Sequence, residues 1–274
     1  MQSLGAQLPG DCDALVVDAS ADDTTQKIVA GFPPVRYLRS PVRNMCAQRN
    51  LAIRASAQDV IAFLDDDAIP QPGWLDALLR GYADDGVASV VGAVREDGAP
   101  VGGGMQWTAF GLQQQIDNWP QTEPVEVLNG RGANMSFRKS ALEAAGLFDE
   151  NYRGHCNGED RDVFVRVRRA GGRIVYQPDA VVIHCPGPTA GYVRSRNDAR
   201  YVFMMARNNS YGNTRLFLGR REFFWYFLVE TLRFVVEQLG RLARNFGGNL
   251  AVLLAYLAGK LCGLAAGLKY RLTK

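Results

Sequence analysis

The sequence predicts an α/β domain over residues 1–185, built on a mainly parallel sheet flanked by helices, followed by a basic, apolar α-helical region over residues 186–274. Three observations carry this. Short uninterrupted apolar runs alternate with helix-like stretches through the first part, the pattern of strands buried on both faces. Charge divides unevenly: residues 1–185 hold 17 Lys and Arg against 24 Asp and Glu, a net of −7, whereas residues 186–274 hold 14 against 4, a net of +10. Composition shifts at the same place, Cys185-Pro186-Gly187-Pro188, where two prolines and a glycine end an apolar run.

The elements come in this order. Ala14 to Val17 is a short apolar strand ending in Asp18, with Ser20, Asp22 and Asp23 supplying helix N-cap chemistry behind it. Residues 49–57 read as helix, and residues 60–64 as a second apolar strand that stops at Asp65-Asp66-Asp67. A helix over 72–82 and a strand over 87–94 come next. Glu159-Asp160 opens a helix with Val163, Phe164, Val167 and Ala170 as its buried stripe, ended by Gly171-Gly172. Residues 180–184 form a last apolar strand, with His184 at its end. In such sheets ligands bind beyond the carboxyl ends of the strands, where the aspartates collect.

Length and composition set the outer bounds. The 274 residues suffice for one large domain or a domain with an appendage, and 47% hydrophobic content excludes the disordered and low-complexity classes. Five cysteines form no CxxC pair, which argues against a disulfide framework and for a reducing compartment. The opening MQSLGAQLPGDCD lacks the basic and apolar regions of a secretory leader, so none is expected.

The second part contains two long apolar helical stretches, 222–242 and 250–268. The first carries Glu222, Glu230, Arg233, Glu237 and Arg241, too many charges for a comfortable span. The second approaches the roughly 20 residues needed to cross ~30 Å. Lys260 lies in its middle, however, at an insertion cost of roughly 2.5–3.5 kcal/mol. Gly259, Gly263 and Gly267 recur every fourth residue and permit close helix packing. The expectation is a pair of interfacial helices on an anionic membrane surface, with core helices of a soluble bundle as the alternative. Because the arginines are dispersed among apolar runs rather than lining a polar groove, no nucleic-acid partner is expected.

The acidic cluster is the most informative feature. Three adjacent carboxylates repel one another unless a cation or solvent relieves them, and oxygen ligands select hard cations such as Mg²⁺, Mn²⁺ or Ca²⁺. In an extended segment Asp65 and Asp67 share a side while Asp66 faces another group, such as a ribose hydroxyl. A solvated loop is the competing account. Glu159 and Asp160 at a helix tip are explained by the helix dipole, yet a carboxylate there is also well placed as a general base. His184 is a candidate third metal ligand. A rival zinc set, His155, Cys156, His184 and Cys185, requires adjacent side chains to turn toward one metal, which is geometrically awkward.

Taken in order, these motifs resemble the family 2 glycosyltransferases, which have the GT-A fold. The residues that carry the resemblance are the segment from Val16 to Thr25, Ala47-Gln48-Arg49-Asn50-Leu51-Ala52, and Phe63 to Pro70 (FLDDDAIP). Gly132 to Arg138 with Gly146 to Glu150, Gly158-Glu159-Asp160-Arg161-Asp162, and Val182-Ile183-His184 complete the set. The resemblance implies that Asp18 contacts the nucleobase and Asp66 the ribose, and that Arg49 and Asp65 belong to the nucleotide-sugar site. It implies that Asp65, Asp67 and His184 hold Mg²⁺ or Mn²⁺ against the diphosphate, and that Asn134 lies on the acceptor side. Asp160, beside Glu159, would take the proton from the attacking hydroxyl in an inverting single displacement.

The implied reaction moves a sugar from a nucleotide-sugar donor to a glycan or lipid-linked glycan acceptor. It would take place in the cytoplasm, on the inner face of the cell membrane. Relative to the family pattern the chain as given starts inside the first helix, so the first strand is expected to be lacking, which leaves two sheet edges exposed. A catalytically impaired GT-A-like scaffold or partner-binding module is therefore the alternative. A nucleotidyltransferase would need a glycine-rich phosphate loop with a basic residue nearby. Gly102-Gly103-Gly104 has no such neighbour.

Overall fold

The computed structural model describes residues 1–5, 7–10, 12–96, 99–100, 104–107, 113–116, 123–154, 156–185, 198–242 and 246–273. In chain order the elements begin with α1 (Gln2–Gly5), β1 (Ala14–Asp18), α2 (Thr24–Val29), β2 (Val35–Arg39), α3 (Met45–Ala55), β3 (Val60–Leu64), β4 (Ala68–Pro70) and α4 (Trp74–Arg80). Next come β5 (Val87–Glu96), β6 (Ala99–Pro100), β7 (Gly104–Trp107), β8 (Gln113–Ile116), β9 (Val125–Glu126), β10 (Asn129–Gly130) and β11 (Asn134–Arg138). The chain continues with α5 (Lys139–Ala144), α6 (Glu159–Arg169) and β12 (Arg173–His184), and closes on α7 (Ala199–Phe217), α8 (Arg221–Leu242) and α9 (Phe246–Thr273).

These elements fall into two compact units, one comprising Met1–Gln106, Gln114–Glu150 and Asp160–Gly187, the other Trp107–Gln113, Asn151–Glu159 and Pro188–Lys274. In the first unit the main sheet runs β3-β11-β5-β12-β4, with β6 on β5 and β9 on β12. The α/β class holds, but the expectation of a mainly parallel sheet needs correction. β12 pairs in parallel with β5, whereas β11 runs antiparallel between β3 and β5, and β4 and β9 are antiparallel to β12. The sheet is mixed. Continuous apolar runs report burial on both faces, not strand direction, and β11, although it alternates polar and apolar residues, is likewise buried on both faces, with Asn134, Met135, Ser136 and Phe137 all buried.

Both faces are covered. On one, Trp74 and Leu78 of α4 pack with Val90, Val94 and Val182, all at most 3% exposed. On the other, Phe63, Phe137, Phe148 and Phe164 of α6 form an aromatic cluster with ring centroids 4.9–6.4 Å apart. β1 and β2 form a separate two-stranded parallel sheet. Among the described residues β1 pairs with β2 alone and β3 with β11 alone, so each keeps an edge without a strand partner. The Gln48 side chain of α3 donates to the Val17 carbonyl at 3.0 Å.

The second unit is helical. Val202 and Ala206 of α7 form a core with Phe234 of α8 and with Val252 and Tyr256 of α9. The glycine stripe of α9 seats on α7. A β-carbon at Gly259 would lie 2.3 Å from the Phe203 carbonyl oxygen, and one at Gly263 would lie 2.1 Å from that of Arg207. Lys260 is 3% exposed, with Nζ 3.2 Å from Glu230 Oε2 and over the Phe227 and Tyr256 rings. This pairing explains how a lysine sits in the middle of so apolar a helix. Among the described residues one helix, Asn249–Thr273, is long and apolar enough to cross a membrane, and a third of its most apolar window is buried against the rest of the protein.

Candidate active site

The strand ends deliver the acidic cluster. β3 stops at Leu64, and Asp65 to Asp67 form a tight turn in which the Ala68 amide donates to the Asp65 carbonyl at 3.0 Å. The segment is thus a turn, not the extended run expected from sequence. It still sends Asp65 and Asp67 together and leaves Asp66 exposed. β12 brings in His184, which pairs with Ala68 of β4. One ligand atom from each of Asp65, Asp67 and His184 lies within 4.8 Å of the others. His184 Nε2 is 3.1 Å from Asp67 Oδ1.

The donor set suits a divalent cation. Two carboxylates and one imidazole match Mn²⁺ or Mg²⁺, and the ring nitrogen favours Mn²⁺ of the two. A second carboxylate orients the imidazole: Glu96 Oε1 lies 2.8 Å from His184 Nδ1. Carboxylate contacts of this kind fix the tautomer that presents Nε2 to a metal. Sequence reasoning missed Glu96, because the apolar run ends at Val94 while the strand continues two residues beyond it.

The rival zinc set does not form around His184. Both of its ring nitrogens face carboxylates, Cys185 is exposed, and His155 lies outside the described residues. Cys156 is buried, with its thiol toward the Tyr152 and Gly154 carbonyls.

Arg49 and Asp160 meet at a glycine. A β-carbon at Gly132 would lie 3.2 Å from Arg49 Nη2 and 3.8 Å from Asp160 Oδ2, so a larger residue there would press on the Arg49 guanidinium. Arg49 is 9% exposed, lies across the Phe63 and Phe148 rings, and reaches Asp65 Oδ1 at 3.9 Å. It is a buried cation between the Asp65–Asp67 turn and the tip of α6. Asp160 sits in the first turn of α6 and is partly exposed, whereas its neighbour Glu159 is buried. Of this expected pair, only Asp160 opens to solvent. Asn50, one residue after Arg49, holds the loop bearing Phe148: its amide donates to the Phe148 carbonyl at 2.9 Å and accepts from the Phe148 amide at 2.9 Å. Leu147 before it takes a left-handed φ of 60°, a conformation that such a clamp secures.

Asp18 ends β1 among its own set of polar partners. It accepts from the Ser20 amide, the Ser20 hydroxyl and the Tyr37 hydroxyl at 2.7–2.8 Å, with Arg39 Nη1 3.7 Å away. Burial alone pushes this carboxyl up. The Ser20 and Tyr37 hydrogen bonds and the Arg39 charge outweigh it and hold the group below its ordinary value. Tyr37 and Arg39 are additions that no sequence motif marked.

Asn134 requires a correction. Its side chain is fully buried and engaged inside the protein, not turned to an acceptor. Oδ1 accepts from Trp74 Nε1 at 3.0 Å, and Nδ2 donates to the Ala93 and Ala180 carbonyls at 2.9 and 2.8 Å. The cause lies in β12, whose register against β5 shifts between Gln177 and Val181, at a bulge containing Pro178. The bulge leaves the Ala180 carbonyl without a ladder partner, and Asn134 takes it. Gly92 makes room: a β-carbon there would lie 2.1 Å from that carbonyl oxygen and 2.2 Å from Asn134 Nδ2.

Comparison with known proteins accords with this geometry. The profile of Glycosyl transferase family 2 matches residues 1–144. The succinoglycan biosynthesis protein ExoM of Rhizobium meliloti (strain 1021) is 31% identical over 180 residues, which cover 64% of this chain and 56% of that protein. The chain therefore spans little more than half of that relative's length. Among solved structures, S. aureus TarS 1-349 in complex with UDP-GlcNAc superposes with a TM-score of 0.55 at 15% identity, covering 100% of this chain and 87% of that one. The mannosyltransferase PcManGT from Pyrobaculum calidifontis, in complex with GDP-Man and Mn²⁺, superposes at 0.53 with 17% identity, covering 94% and 77%. At such identities the structural likeness establishes the fold, which is GT-A. With the family profile matched over more than half of its length, the chain belongs to glycosyl transferase family 2.

Proposed function

We propose that this protein transfers a sugar from a nucleotide-sugar donor to a hydroxyl of a glycan or lipid-linked glycan, with inversion at the anomeric carbon and dependence on a divalent cation. The convergence of Asp65, Asp67 and His184, together with Arg49 and Asp160 meeting at Gly132, carries this reading. The nucleotide sugars and Mn²⁺ bound by similarly folded proteins support it.

Each role has a geometric basis. Asp18, with Tyr37 and Arg39 around it, sits at a strand end suited to the nucleobase, and exposed Asp66 is free to reach a ribose hydroxyl. Asp65, Asp67 and His184 would hold Mn²⁺ or Mg²⁺, which when bound offsets the charge of the departing nucleoside diphosphate. Asp160 Oδ2 accepts the acceptor hydroxyl's proton as its oxygen bonds to the anomeric carbon and the bond to the diphosphate oxygen breaks. Arg49 keeps positive charge beside both Asp65 and Asp160. No covalent enzyme intermediate is involved, so one displacement gives one inversion.

The helical unit fits a role on the cytoplasmic inner face of the membrane. Phe224, Leu228, Leu232, Val236 and Leu239 recur every three or four residues along α8 and are 39–65% exposed. Arg221 and Arg233 are exposed on the same helix. An in-plane helix of this type gains apolar burial and about 1 kcal/mol per basic residue near an anionic surface. Calorimetric titration of the full chain with UDP or GDP tests the donor reading. Binding should require Mn²⁺ and weaken at least tenfold in Asp67→Asn; nucleotide binding that is indifferent to the cation contradicts it.

A further inference from the structure

We propose that the outer face of α9 pairs antiparallel with the same face of a second copy of this chain. Every residue involved belongs to the helical unit, and the pairing goes beyond the sugar-transfer reading without resting on it. One side of α9 is occupied: Gly259, Gly263 and Gly267 close on α7, and Val252 and Tyr256 pack in the helical core. The opposite side is exposed at Gly247, Ala251, Leu254, Ala258, Leu261, Ala265, Leu268 and Leu272, with the four leucines 38–86% open. These positions step by four and three residues in strict alternation, the 3.5-residue repeat by which one helix packs along another. A lipid surface asks for no such repeat. The exposed apolar residues of α8, Phe224, Leu228, Leu232, Val236 and Leu239, lack it: they step by four, four, four and three, and none is small.

The order of sizes along the stripe selects the occupant and its direction. In a parallel pair each position meets its own counterpart, so small residues would face small ones and leave gaps between leucine layers. An antiparallel pair sets a small residue against a leucine in every layer. Across the two copies Gly247 meets Leu272, Ala251 meets Leu268, Leu254 meets Ala265 and Ala258 meets Leu261, each twice about a two-fold axis. Charge agrees with this direction. Lys269 and Arg271 are exposed near the C-terminal end of α9, whereas residues 246–259 carry no charged side chain. Parallel packing would bring the basic ends together. Antiparallel packing sets them against an uncharged stretch and opposes the two helix dipoles. Residues 247–272 form a strip about 38 Å long and about 10 Å wide, about 380 Å² on each copy before side-chain relief is counted. An interface of this size is weak and reversible, so dimers should form at about 10–100 μM.

The test is sedimentation velocity of the full chain from about 1 to 200 μM, a range that brackets the association expected of so small an interface. Wild type is compared with Ala258→Trp and Leu261→Glu on α9 and with Val236→Glu on α8, all checked for unchanged melting temperature. Wild type and Val236→Glu should pass from monomer to dimer and no further. Ala258→Trp and Leu261→Glu should raise the midpoint at least tenfold, because an indole overfills an alanine layer and a carboxylate is buried in a leucine layer. Flotation on phosphatidylserine vesicles separates the lipid alternative, since Ala258→Trp enlarges the apolar face and would strengthen contact with lipid. A wild type that stays monomeric, growth beyond the dimer, or an Ala258→Trp that dimerises like the wild type overturns the proposal. So does stronger flotation of Ala258→Trp with no change in dimerisation. Direction is read by mixing Ala251→Cys with Leu268→Cys copies in which exposed Cys185 and Cys262 are serine. Disulfides should join unlike copies, and disulfides between like copies alone overturn the antiparallel arrangement.

Discussion

Replacing Glu96 with glutamine preserves the length of the side chain and an acceptor oxygen for His184 Nδ1, but removes the negative charge 2.8 Å away. If His184 is a metal ligand, that charge holds the imidazole with Nε2 turned toward the metal. Carboxylates in this position typically contribute 10–100-fold to metal affinity. The Glu96 side chain is 31% exposed, so water compensates for part of the lost charge and the expectation lies at the lower end. A loss of about tenfold in Mn²⁺ affinity, about 1.4 kcal/mol, is predicted for Glu96→Gln, and a larger loss for Glu96→Ala, which also frees the ring to rotate. The assay is Mn²⁺ titration by calorimetry or electron paramagnetic resonance, without nucleotide, on variants whose melting temperatures match the wild type. Equal Mn²⁺ affinity in Glu96→Ala and the wild type refutes the idea that Glu96 prepares His184 for a metal.

Asn134→Ala removes three buried hydrogen bonds and strands the Trp74 indole N–H and two carbonyls, so the urea midpoint should fall by the equivalent of about 3 kcal/mol. Loss of stability below about 1 kcal/mol would leave this network without a structural role. Asp18 has its carboxyl held below the usual value near 4, so its stabilisation is present above that pH and is lost as pH falls through the lower folded value. Denaturation series should accordingly show Asp18→Asn less stable than the wild type at pH 7, with the gap closing as pH falls through the lowered carboxyl value. Val236→Glu places a charge at the most exposed position of the α8 stripe, 65% open. Flotation with anionic vesicles should weaken while thermal stability changes by less than about 0.5 kcal/mol. Unchanged flotation argues that α8 is not the contacting face.

Much of the site was legible because its chemistry lies at strand ends. β3 and the last part of β12, residues 180–183, are continuous apolar runs, and the polar residues at the carboxyl end of such a run in an α/β sheet mark the ligand side. Asp65, Asp67 and His184 could therefore be grouped from the sequence alone. The direction of β11 was not legible, because a strand buried on both faces, as Asn134 to Phe137 are, looks the same either way. Asn134 misled for a related reason: its segment carries the family resemblance, but a bulge forty-odd residues downstream decides where its amide points. Glu96, Tyr37 and Arg39 were hidden because each acts by touching a residue distant in sequence, with no local pattern to mark it.

A single comparison of Asp160→Asn with the wild type tests the proposed chemistry most directly. Donor turnover and binding of nucleotide with Mn²⁺ are measured on the same preparations, with and without chelator. Wild-type turnover should vanish with chelator and return with Mn²⁺. Asp160→Asn should bind nucleotide and Mn²⁺ as the wild type does, yet turn over 10²–10⁴-fold more slowly, about the contribution of a general base. A variant that keeps the wild-type rate, or a wild type that ignores the chelator, contradicts the proposed chemistry at its centre.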